Sequence, residues 1–279
     1  MSGPGTLFVI ATPLGNLEDI SLRALRLLRE VDLVACEDTR RTHKLLKANG
    51  ISTPMTSYFE HNERWKGDRL IEQLGSGKTI ALVSDAGTPG ISDPGFRLVR
   101  DARAAGLPVV PVPGPSAAVT ALSVSGLPTD RFLFVGFLPA RKGARQRAIA
   151  ELGAVRDTLV LYESPTRVVE ALRDLETALG NRAAFLCREA TKLHEEYRAG
   201  TLGSLRAELA ARDVVQGEIV LVVAGATEQR SDEDPRVLFA RLSAEGRTRR
   251  EAVKEAARLL GRPAREVYRE VLDGGDDEA

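Results

Sequence analysis

The stretch SDAGTPGISDPG, residues 84–95, decides the fold of this chain. The apolar run at residues 79–83 predicts a buried strand before it, and the apolar pattern at residues 96–102 predicts a helix after it. The stretch, called the central loop below, therefore follows the carboxyl end of a strand, where open α/β sheets bind ligands. Its three glycines and two prolines favour ligand contact at its first five residues. Asp93 and Pro94 are predicted to cap and begin the helix.

Strand-like and helical segments alternate around this loop. Strands are predicted at residues 7–11, 33–36, 56–59, 79–83, 108–112 and 132–136, the last at a sheet edge. Helices are predicted between them, at residues 22–31, 42–48, 63–74, 96–105 and 116–124. The alternation predicts an α/β fold with a mostly parallel sheet covered on both faces.

Two changes in composition predict the domain boundaries. Residues 138–143 combine Pro, Gly and charge, and residues 227–234 are polar and acidic, so both are interpreted as linkers. Between them lies a second alternating set, with strands at residues 159–162, 183–187 and 219–223 and helices at residues 165–179 and 205–211. We therefore expect an N-terminal α/β domain over residues 1–137, a smaller α/β domain over residues 138–226 and a helical basic tail over residues 235–272.

Composition excludes little. The chain has 39 Lys and Arg and 39 Asp and Glu, so its net charge indicates no partner. Cys36 and Cys187 lie in apolar runs and are predicted to be reduced core residues. The N-terminal apolar run is too short for a signal peptide or a membrane span, which makes a cytoplasmic location the expectation. The three histidines lack metal-ligand spacing, and no metal is expected.

Loops with unusual residues follow four predicted strands of the first domain, at residues 11–16, 37–41, 84–95 and 112–117. In a parallel sheet these loops converge on one cleft. A Gly-x-Gly-x-x-Gly motif, a P-loop motif and a nucleophile elbow are all absent from the sequence. A Rossmann dinucleotide site, a P-loop NTPase and a serine hydrolase are therefore disfavoured.

Six motifs together resemble the tetrapyrrole methylase superfamily of S-adenosylmethionine-dependent methyltransferases. They are ATPLGNL at residues 11–17, EDTR at 37–40, the central loop, VPGPSA at 112–117, YESPTR at 162–167 and CREATK at 187–192. The resemblance extends from about residue 6 to residue 272. The central loop begins Ser84-Asp85-Ala86, where tetrapyrrole enzymes usually have Gly-Asp-Pro, and this difference favours the ribosomal RNA branch of the superfamily.

The resemblance implies two α/β domains with S-adenosyl-L-methionine in the cleft between them, a homodimer and no metal. It also implies methyl transfer to the ribose 2′-hydroxyl of a decoding-centre cytidine in 16S rRNA, either naked or in an assembled 30S subunit. The cofactor contacts of the superfamily fall on Leu14, Asp85, Gly87, Thr88, Ser116, Ala117, Tyr162 and, more loosely, Ala224.

Methyl transfer to a ribose hydroxyl calls for a general base, because the hydroxyl is a poor nucleophile while it keeps its proton. The candidates are Glu163, Glu189 and Lys192, with Glu37, Asp38 and Asp85 also near the predicted cleft. Each carboxylate has the alternative of a loop cap or a structural ion pair, and a lysine base needs a lowered pKa. Contact with RNA phosphates is predicted for Arg40, Arg41 and Arg167, with simple surface solvation as the alternative.

The tail carries its own signals. Thr248 and Glu251 form a capping box, Gly261 ends that helix and Pro263 begins the next, a pattern similar to a helix-turn-helix. Residues 236–269 contain ten Lys or Arg and four Asp or Glu, a net charge of +6. This excess predicts RNA contact through Arg249, Arg250 and Lys254, and the alternative is a dimerisation or capping bundle.

Two other functions stay open at this point. One is methylation of a different substrate, as in the tetrapyrrole and diphthamide branches, against which the basic tail argues. The other is a non-catalytic rRNA-binding protein that has kept the cleft, against which the dense cleft motifs argue.

Overall fold

The computed structural model describes residues 3–227, 231 and 233–272. It divides into two compact units, Met1–Gly225 and Ala226–Ala279, each described below by itself. Within the described ranges, no helix has the length and apolarity needed to cross a membrane.

The first sheet of the larger unit is entirely parallel, as expected from the alternating pattern. Its strands are β1 (Leu7–Ile10), β2 (Leu33–Cys36), β3 (Met55–Ser57), β4 (Ile80–Val83) and β5 (Val109–Val112). They pair in the order β3-β2-β4-β1-β5. The loops after these strands consequently emerge at one edge of the sheet.

Four helices cover this sheet: α1 (Leu22–Glu30), α2 (Thr39–Ala48), α3 (Glu63–Gly75) and α4 (Phe96–Ala104). A fifth, α5 (Ala117–Val124), follows β5 but packs against the second sheet, where Ala121 lies in a core with Val160 and Val220. One apolar core packs Leu28 of α1 and Leu46 of α2 beneath the sheet. A second core, with Leu74 of α3 and Leu98 of α4, lies on the opposite face. Both faces are therefore covered, which confirms the predicted α/β class.

The second sheet is mixed rather than parallel. Its strands are β6 (Phe132–Phe137), β7 (Thr158–Glu163), β8 (Ala183–Arg188), β9 (Glu196–Thr201) and β10 (Ile219–Val223), in the order β6-β7-β10-β8-β9. Only the β6–β7 pair is parallel. Residues 132–136 form an edge strand as predicted, but in the second sheet and not in the first, to which the prediction assigned them. The edge strand β9 is missing from the sequence prediction because its polar, mostly exposed residues show no apolar alternation.

The first predicted linker is wrong in part. Besides α5, three helices accompany the second sheet: α6 (Lys142–Glu151), α7 (Val168–Leu179) and α8 (Leu202–Ala210). Helix α6 begins inside the supposed linker, and Leu138 packs in the core. Helix α6 was not predicted because one of its core-facing positions holds an arginine. This residue, Arg145, is buried and ion-paired at 2.7 Å with Asp174. A charged residue at that position interrupts the apolar stripe by which a helix is predicted.

The smaller unit contains the tail helices α9 (Pro235–Ala244), α10 (Arg249–Leu260) and α11 (Ala264–Leu272). Thr248 and Glu251 form the predicted capping box of α10, and Gly261 ends this helix with a left-handed φ of 62°. Leu238 and Val267 are among the residues of a small core shared by the three helices. The second predicted linker, residues 227–234, lies partly outside the described residues.

Candidate functional site

A cavity of about 460 Å³ lies in the larger unit, at the edge of the first sheet where its strands end. The first-sheet loops contribute Leu14, Glu37, Arg41, Asp85, Ala86, Gly87, Thr88, Ile91, Ser92, Asp93, Ser116 and Ala117 to its lining. The second-sheet half contributes Phe137, Tyr162, Glu163, Ser164, Pro165, Cys187, Ala190, Glu218, Ile219 and Val220. The parallel strand ends thus converge on one cleft, as the motif positions predict.

Gly87 holds the central loop against the loop after β1. The two backbone groups of Gly87 bond those of Thr12, at 3.0 Å from the Gly87 amide and 2.9 Å to the Gly87 carbonyl. Gly87 has a φ of +83°, and a Cβ placed there would lie 3.4 Å from the Leu14 side chain. Only glycine adopts this conformation without strain, and its missing side chain leaves the cavity open to a ligand.

Tyr162 connects the second sheet to α5. Its hydroxyl accepts a hydrogen bond from the Ala118 amide at 3.1 Å, one of the free amides at the helix N-terminus. The ring packs edge-on against Phe134 and Phe137 at centroid distances of 5.0 and 5.6 Å. Burial raises the pKa of Tyr162, so it stays a neutral wall of the cavity.

Asp85 and Glu37 supply negative charge at the cavity wall. Asp85 accepts a hydrogen bond from the Asp38 amide at 2.9 Å and lies 3.4 Å from the Arg41 guanidinium. Burial raises the pKa of Asp85, more than the Asp38 amide lowers it. The pKa of Glu37 is raised first by burial and then by the charge of Asp85.

Asp93 is the cavity residue that the sequence reading misassigned. Helix α4 begins at Phe96, with Gly95 at its N-cap, so Asp93 is not the cap and Pro94 is not the first helical residue. Asp93 instead lines the cavity, where burial and then the charge of Glu37 raise its pKa to about 6. A second aspartate in a loop that follows a fully buried strand was the available signal, but the following proline favoured the cap interpretation.

Glu163 is buried with one oxygen unsatisfied. Its Oε1 accepts the Ser164 amide at 2.7 Å and pairs with Arg167 at 2.7 Å. Its Oε2 is buried and has no hydrogen-bond partner among the described residues. A buried acceptor of this kind at a cavity wall is suited to a donor on a ligand. Arg167 is held by Glu163 and by the Leu138 carbonyl, an arrangement that favours a structural role over phosphate contact.

Glu189 and Lys192 lie behind the cavity wall rather than on it. The Lys192 ammonium bonds Glu189 at 2.8 Å and Glu218 at 3.1 Å, and of these three only Glu218 lines the cavity. Burial lowers the pKa of Lys192, but the hydrogen bond to Glu189 and the charge of Glu218 outweigh it and raise the pKa. Lys192 is therefore a protonated partner of two carboxylates, which is the opposite of what a lysine base needs.

Ala224 lies away from the cavity. Because β10 runs antiparallel to β7, Ile219 pairs with Glu163 while Val223 pairs with Leu159 at the far end. Ala224 follows Val223 and therefore lies at the end of the strands opposite to Tyr162 and Glu163. The cavity-facing part of this strand is therefore its beginning, residues 218–220, in place of Ala224.

The basic residues predicted to contact RNA fall into two groups. In the larger unit, Arg40 forms a bidentate ion pair with Asp38, two residues before it, and Arg41 lines the cavity. In the tail, Arg249, Arg250 and Lys254 are exposed on α10 and form no ion pair with any residue that the structure describes.

Comparison with known proteins agrees with this architecture. A family model described as Tetrapyrrole (Corrin/Porphyrin) Methylases matches residues 6–206, and the chain belongs to this family. Its relatives named ribosomal RNA small subunit methyltransferase I include that of Halalkalibacterium halodurans, 46% identical over 95% of this chain and 93% of the relative. Those of Mesorhizobium japonicum and Pseudomonas aeruginosa are 47% and 52% identical, covering 96% and 79% of this chain and 91% and 79% of the relatives.

Solved structures share the fold at lower identity. Diphthine synthase matches with a TM-score of 0.62 and 19% identity, over 80% of this chain and 91% of that chain. A uroporphyrin-III C-methyl transferase from Thermus thermophilus, complexed with S-adenyl homocysteine, matches with a TM-score of 0.54 and 20% identity, over 78% of this chain and 97% of that chain. The predicted family and fold are therefore confirmed.

Proposed function

We propose that this protein is an S-adenosyl-L-methionine-dependent methyltransferase that modifies the ribose 2′-hydroxyl of a decoding-centre cytidine in 16S rRNA. Identity of 44–47% to relatives over nearly the full chain supports the rRNA substrate. The observation that supports the enzymatic part is the cavity. Its wall includes Gly87 of the central loop on one side and the buried, unpaired Oε2 atom of Glu163 on the other.

The residues at the cavity suit the cofactor. A volume of about 460 Å³ is within the range of small-molecule sites. The Glu163 Oε2 atom is a buried acceptor for an ammonium or hydroxyl donor, and neighbouring carboxylates favour a cationic ligand. When bound, the cofactor supplies a methyl group on a positively charged sulfur. We assign its binding to Leu14, Asp85, Gly87, Thr88, Ser116, Ala117 and Tyr162, together with Glu163 and residues 218–220.

The contribution of these residues is positioning. The bonded Thr12–Gly87 pair and the Tyr162–Ala118 hydrogen bond fix the cavity walls from both sheets. Walls that are fixed before binding hold the two reactants in line without further ordering, and such orientation accounts for much of the acceleration of a transfer reaction.

Substrate RNA is assigned to two basic regions. Arg41 borders the cavity, with its side chain 62% exposed, and can meet a phosphate next to the target nucleotide. Arg249, Arg250 and Lys254 on α10 offer unpaired positive charge to the RNA backbone. We further propose that the protein acts as a homodimer in the cytoplasm. The two buried free cysteines, Cys36 and Cys187, are compatible with a reducing compartment.

Methyl-group mapping tests the proposal. Ribose 2′-O-methyl groups in small-subunit rRNA should disappear at one cytidine when this protein is absent and return when it is restored. In vitro, tritium from labelled S-adenosylmethionine should enter naked 16S rRNA or assembled small subunits. Labelling of a tetrapyrrole with none in rRNA would instead support the other branch of the family.

A further inference from the structure

We propose that Asp93 is the general base that removes the proton from the attacking ribose hydroxyl. The proposal rests on the function proposed above and names a residue for its chemical step. It departs from the sequence reading, in which Asp93 caps a helix and the base is Glu163, Glu189 or Lys192.

The backbone directs Asp93 into the cavity. Ser92, just before it, has a φ of +62°, which non-glycine residues seldom adopt. Gly136, at the irregularity of β6, leaves room for Ser92, because a Cβ there would lie 3.0 Å from the Ser92 hydroxyl. Backbone strain that is stabilised by a neighbouring element commonly marks a functional position. Here the strain belongs to the residue that precedes the cavity carboxylate.

Three of the other four acidic groups of the cavity are ion-paired, and the fourth, Glu37, accepts a hydrogen bond from the Asp85 backbone amide. Asp85 receives the Asp38 amide and lies beside Arg41. Glu163 is ion-paired with Arg167 through Oε1, and its unpaired Oε2 is assigned above to the cofactor. Glu218 is ion-paired with Lys192. Among the described residues Asp93 forms no ion pair, and the hydrogen bond that lowers its pKa comes from the Ser84 hydroxyl. Asp93 is therefore the cavity carboxylate most available to accept a proton.

Its electrostatic surroundings support the same role. The ionisable groups facing Asp93 are Glu37 after β2, Asp85 after β4, Glu218 before β10 and Tyr162 on β7. Burial, then Glu37, raise the pKa of Asp93 to about 6, although the Ser84 hydroxyl opposes the shift. A carboxylate with a pKa close to the working pH is both ionised and basic enough for general-base catalysis.

The step balances as a single displacement. The Asp93 carboxylate takes the hydroxyl proton as the ribose oxygen forms its bond to the methyl carbon. The carbon–sulfur bond breaks, and its electron pair returns to sulfur, which becomes a neutral thioether. The proton remains on Asp93 until it is released to solvent, and no other reactant is required.

The variant Asp93→Asn tests the proposal, with Asp68→Asn on the exposed surface of α3 as the matched control. Asp93→Asn should lower kcat by about 1000-fold, within the usual effect of a general base, and Asp93→Glu should recover part of it. Calorimetric Kd values for S-adenosylmethionine and S-adenosylhomocysteine should stay within about threefold of wild type, because a base contributes more to the transition state than to binding. Asp68→Asn should match wild type throughout.

Two readouts separate a base from a structural residue. The wild-type kcat should decrease as the pH is lowered below 6, because Asp93 becomes protonated. The residual activity of Asp93→Asn should not show this decrease. A carbon-13 carboxyl titration should show a signal with a pKa of about 6 that is absent from Asp93→Asn.

The outcomes separate the two proposals. An active wild type with undiminished kcat in a folded Asp93→Asn variant would overturn the role of Asp93 alone. A rise of more than 30-fold in the cofactor Kd would reassign Asp93 to cofactor binding. A wild type that binds the cofactor but methylates no rRNA would contradict the proposed function itself.

Discussion

The cavity and helix α10 carry opposite charge within a chain whose formal net charge is zero. The cavity lining includes five carboxylates, Glu37, Asp85, Asp93, Glu163 and Glu218, and, within the described part of the chain, one guanidinium, that of Arg41. Helix α10 contains four Lys or Arg and two Glu, with Arg249, Arg250 and Lys254 exposed.

This difference shows that a net charge of zero can result from two regions of opposite charge that suit different ligands. An acidic, partly buried wall favours a cationic small molecule, whereas exposed, unpaired cations favour a polyanion. The comparison predicts that changes in one region affect one ligand and leave the other unaffected. The following predictions test that separation, from the largest expected effect to the smallest.

Gly87→Val should weaken S-adenosylmethionine binding by at least about 100-fold while RNA affinity stays unchanged. The valine would lie against Leu14 in the cavity and would adopt an unfavourable positive φ at a cost of about 1–2 kcal/mol. Gly106→Val is the matched control, because Gly106 also has a positive φ of 70° but has open space where the side chain would go. Both variants should lose similar stability in urea unfolding. Normal cofactor binding by a folded Gly87→Val variant would remove Gly87 from the site.

The triple variant Arg249→Ala, Arg250→Ala and Lys254→Ala should weaken RNA binding and spare cofactor binding. Three lost phosphate contacts should lower the salt slope of log K by about 2, which corresponds to roughly 50-fold weaker binding at 0.15 M salt. Filter binding across a salt series measures this slope.

The control for the triple variant removes the same charge elsewhere in the tail. Arg241, Arg247 and Arg262 each lie within 4 Å of a glutamate, so their replacement by alanine should change the slope less. Equal slopes in the two triple variants would mean that net charge, and not contact by α10, governs RNA affinity. An unchanged slope with loss of dimerisation would make the tail an assembly element.

Asp93→Asn should stabilise the unliganded protein by about 1 kcal/mol at pH 7 and have little effect near pH 4. The carboxyl has an ordinary pKa of 3.8 and a folded pKa of about 6, so the folded chain binds the proton more tightly between these values. The free energy of unfolding of the wild type therefore falls as pH rises through this window, and partial exposure limits the effect. Urea unfolding at several pH values measures the difference, and a pH-independent difference would contradict it.

Tyr162→Phe should weaken S-adenosylmethionine binding by about fivefold and lower the free energy of unfolding by about 1 kcal/mol. The change leaves the Ala118 amide without its hydrogen-bond acceptor and loosens the wall between β7 and α5. Tyr268→Phe, at an exposed position in the tail, should leave both quantities unchanged. Calorimetry and urea unfolding provide the two measurements. Equal effects of the two variants would leave the Tyr162 hydroxyl with no part in the site.

The first sheet was predictable because its sequence signals are local. Buried parallel strands appear as short apolar runs, and each cavity loop follows such a run directly, as Gly87 follows β4. Caps have similarly local signatures, which is why Thr248 at the start of α10 agrees with the prediction, and Ser21 caps α1 in the same local way.

The second sheet was less predictable because strand direction is not encoded locally. The apolar run of β10 looks the same in a parallel or an antiparallel pair. The strand direction nevertheless decides which end of β10 reaches the cavity, and the antiparallel direction places Glu218 there and Ala224 at the other end. Helix α6 was hidden because Arg145 is neutralised by Asp174, which is 29 residues away in the sequence. Such partners become visible only when distant segments pack.

Local pattern alone determined the α/β class, the convergence of loops after β1, β2, β4 and β5, and the capped basic helix of the tail. Tertiary structure alone decided which side chains at the cavity are available for chemistry. Lys192 acquires its carboxylate partners, and Glu163 its unpaired oxygen, from the packing around them. Asp93 lines the cavity directly after Ser92, which has a positive φ and lies beside Gly136. Periodicity and caps depend on neighbours within a few residues, whereas burial, ion pairing and pKa depend on the three-dimensional surroundings of each group.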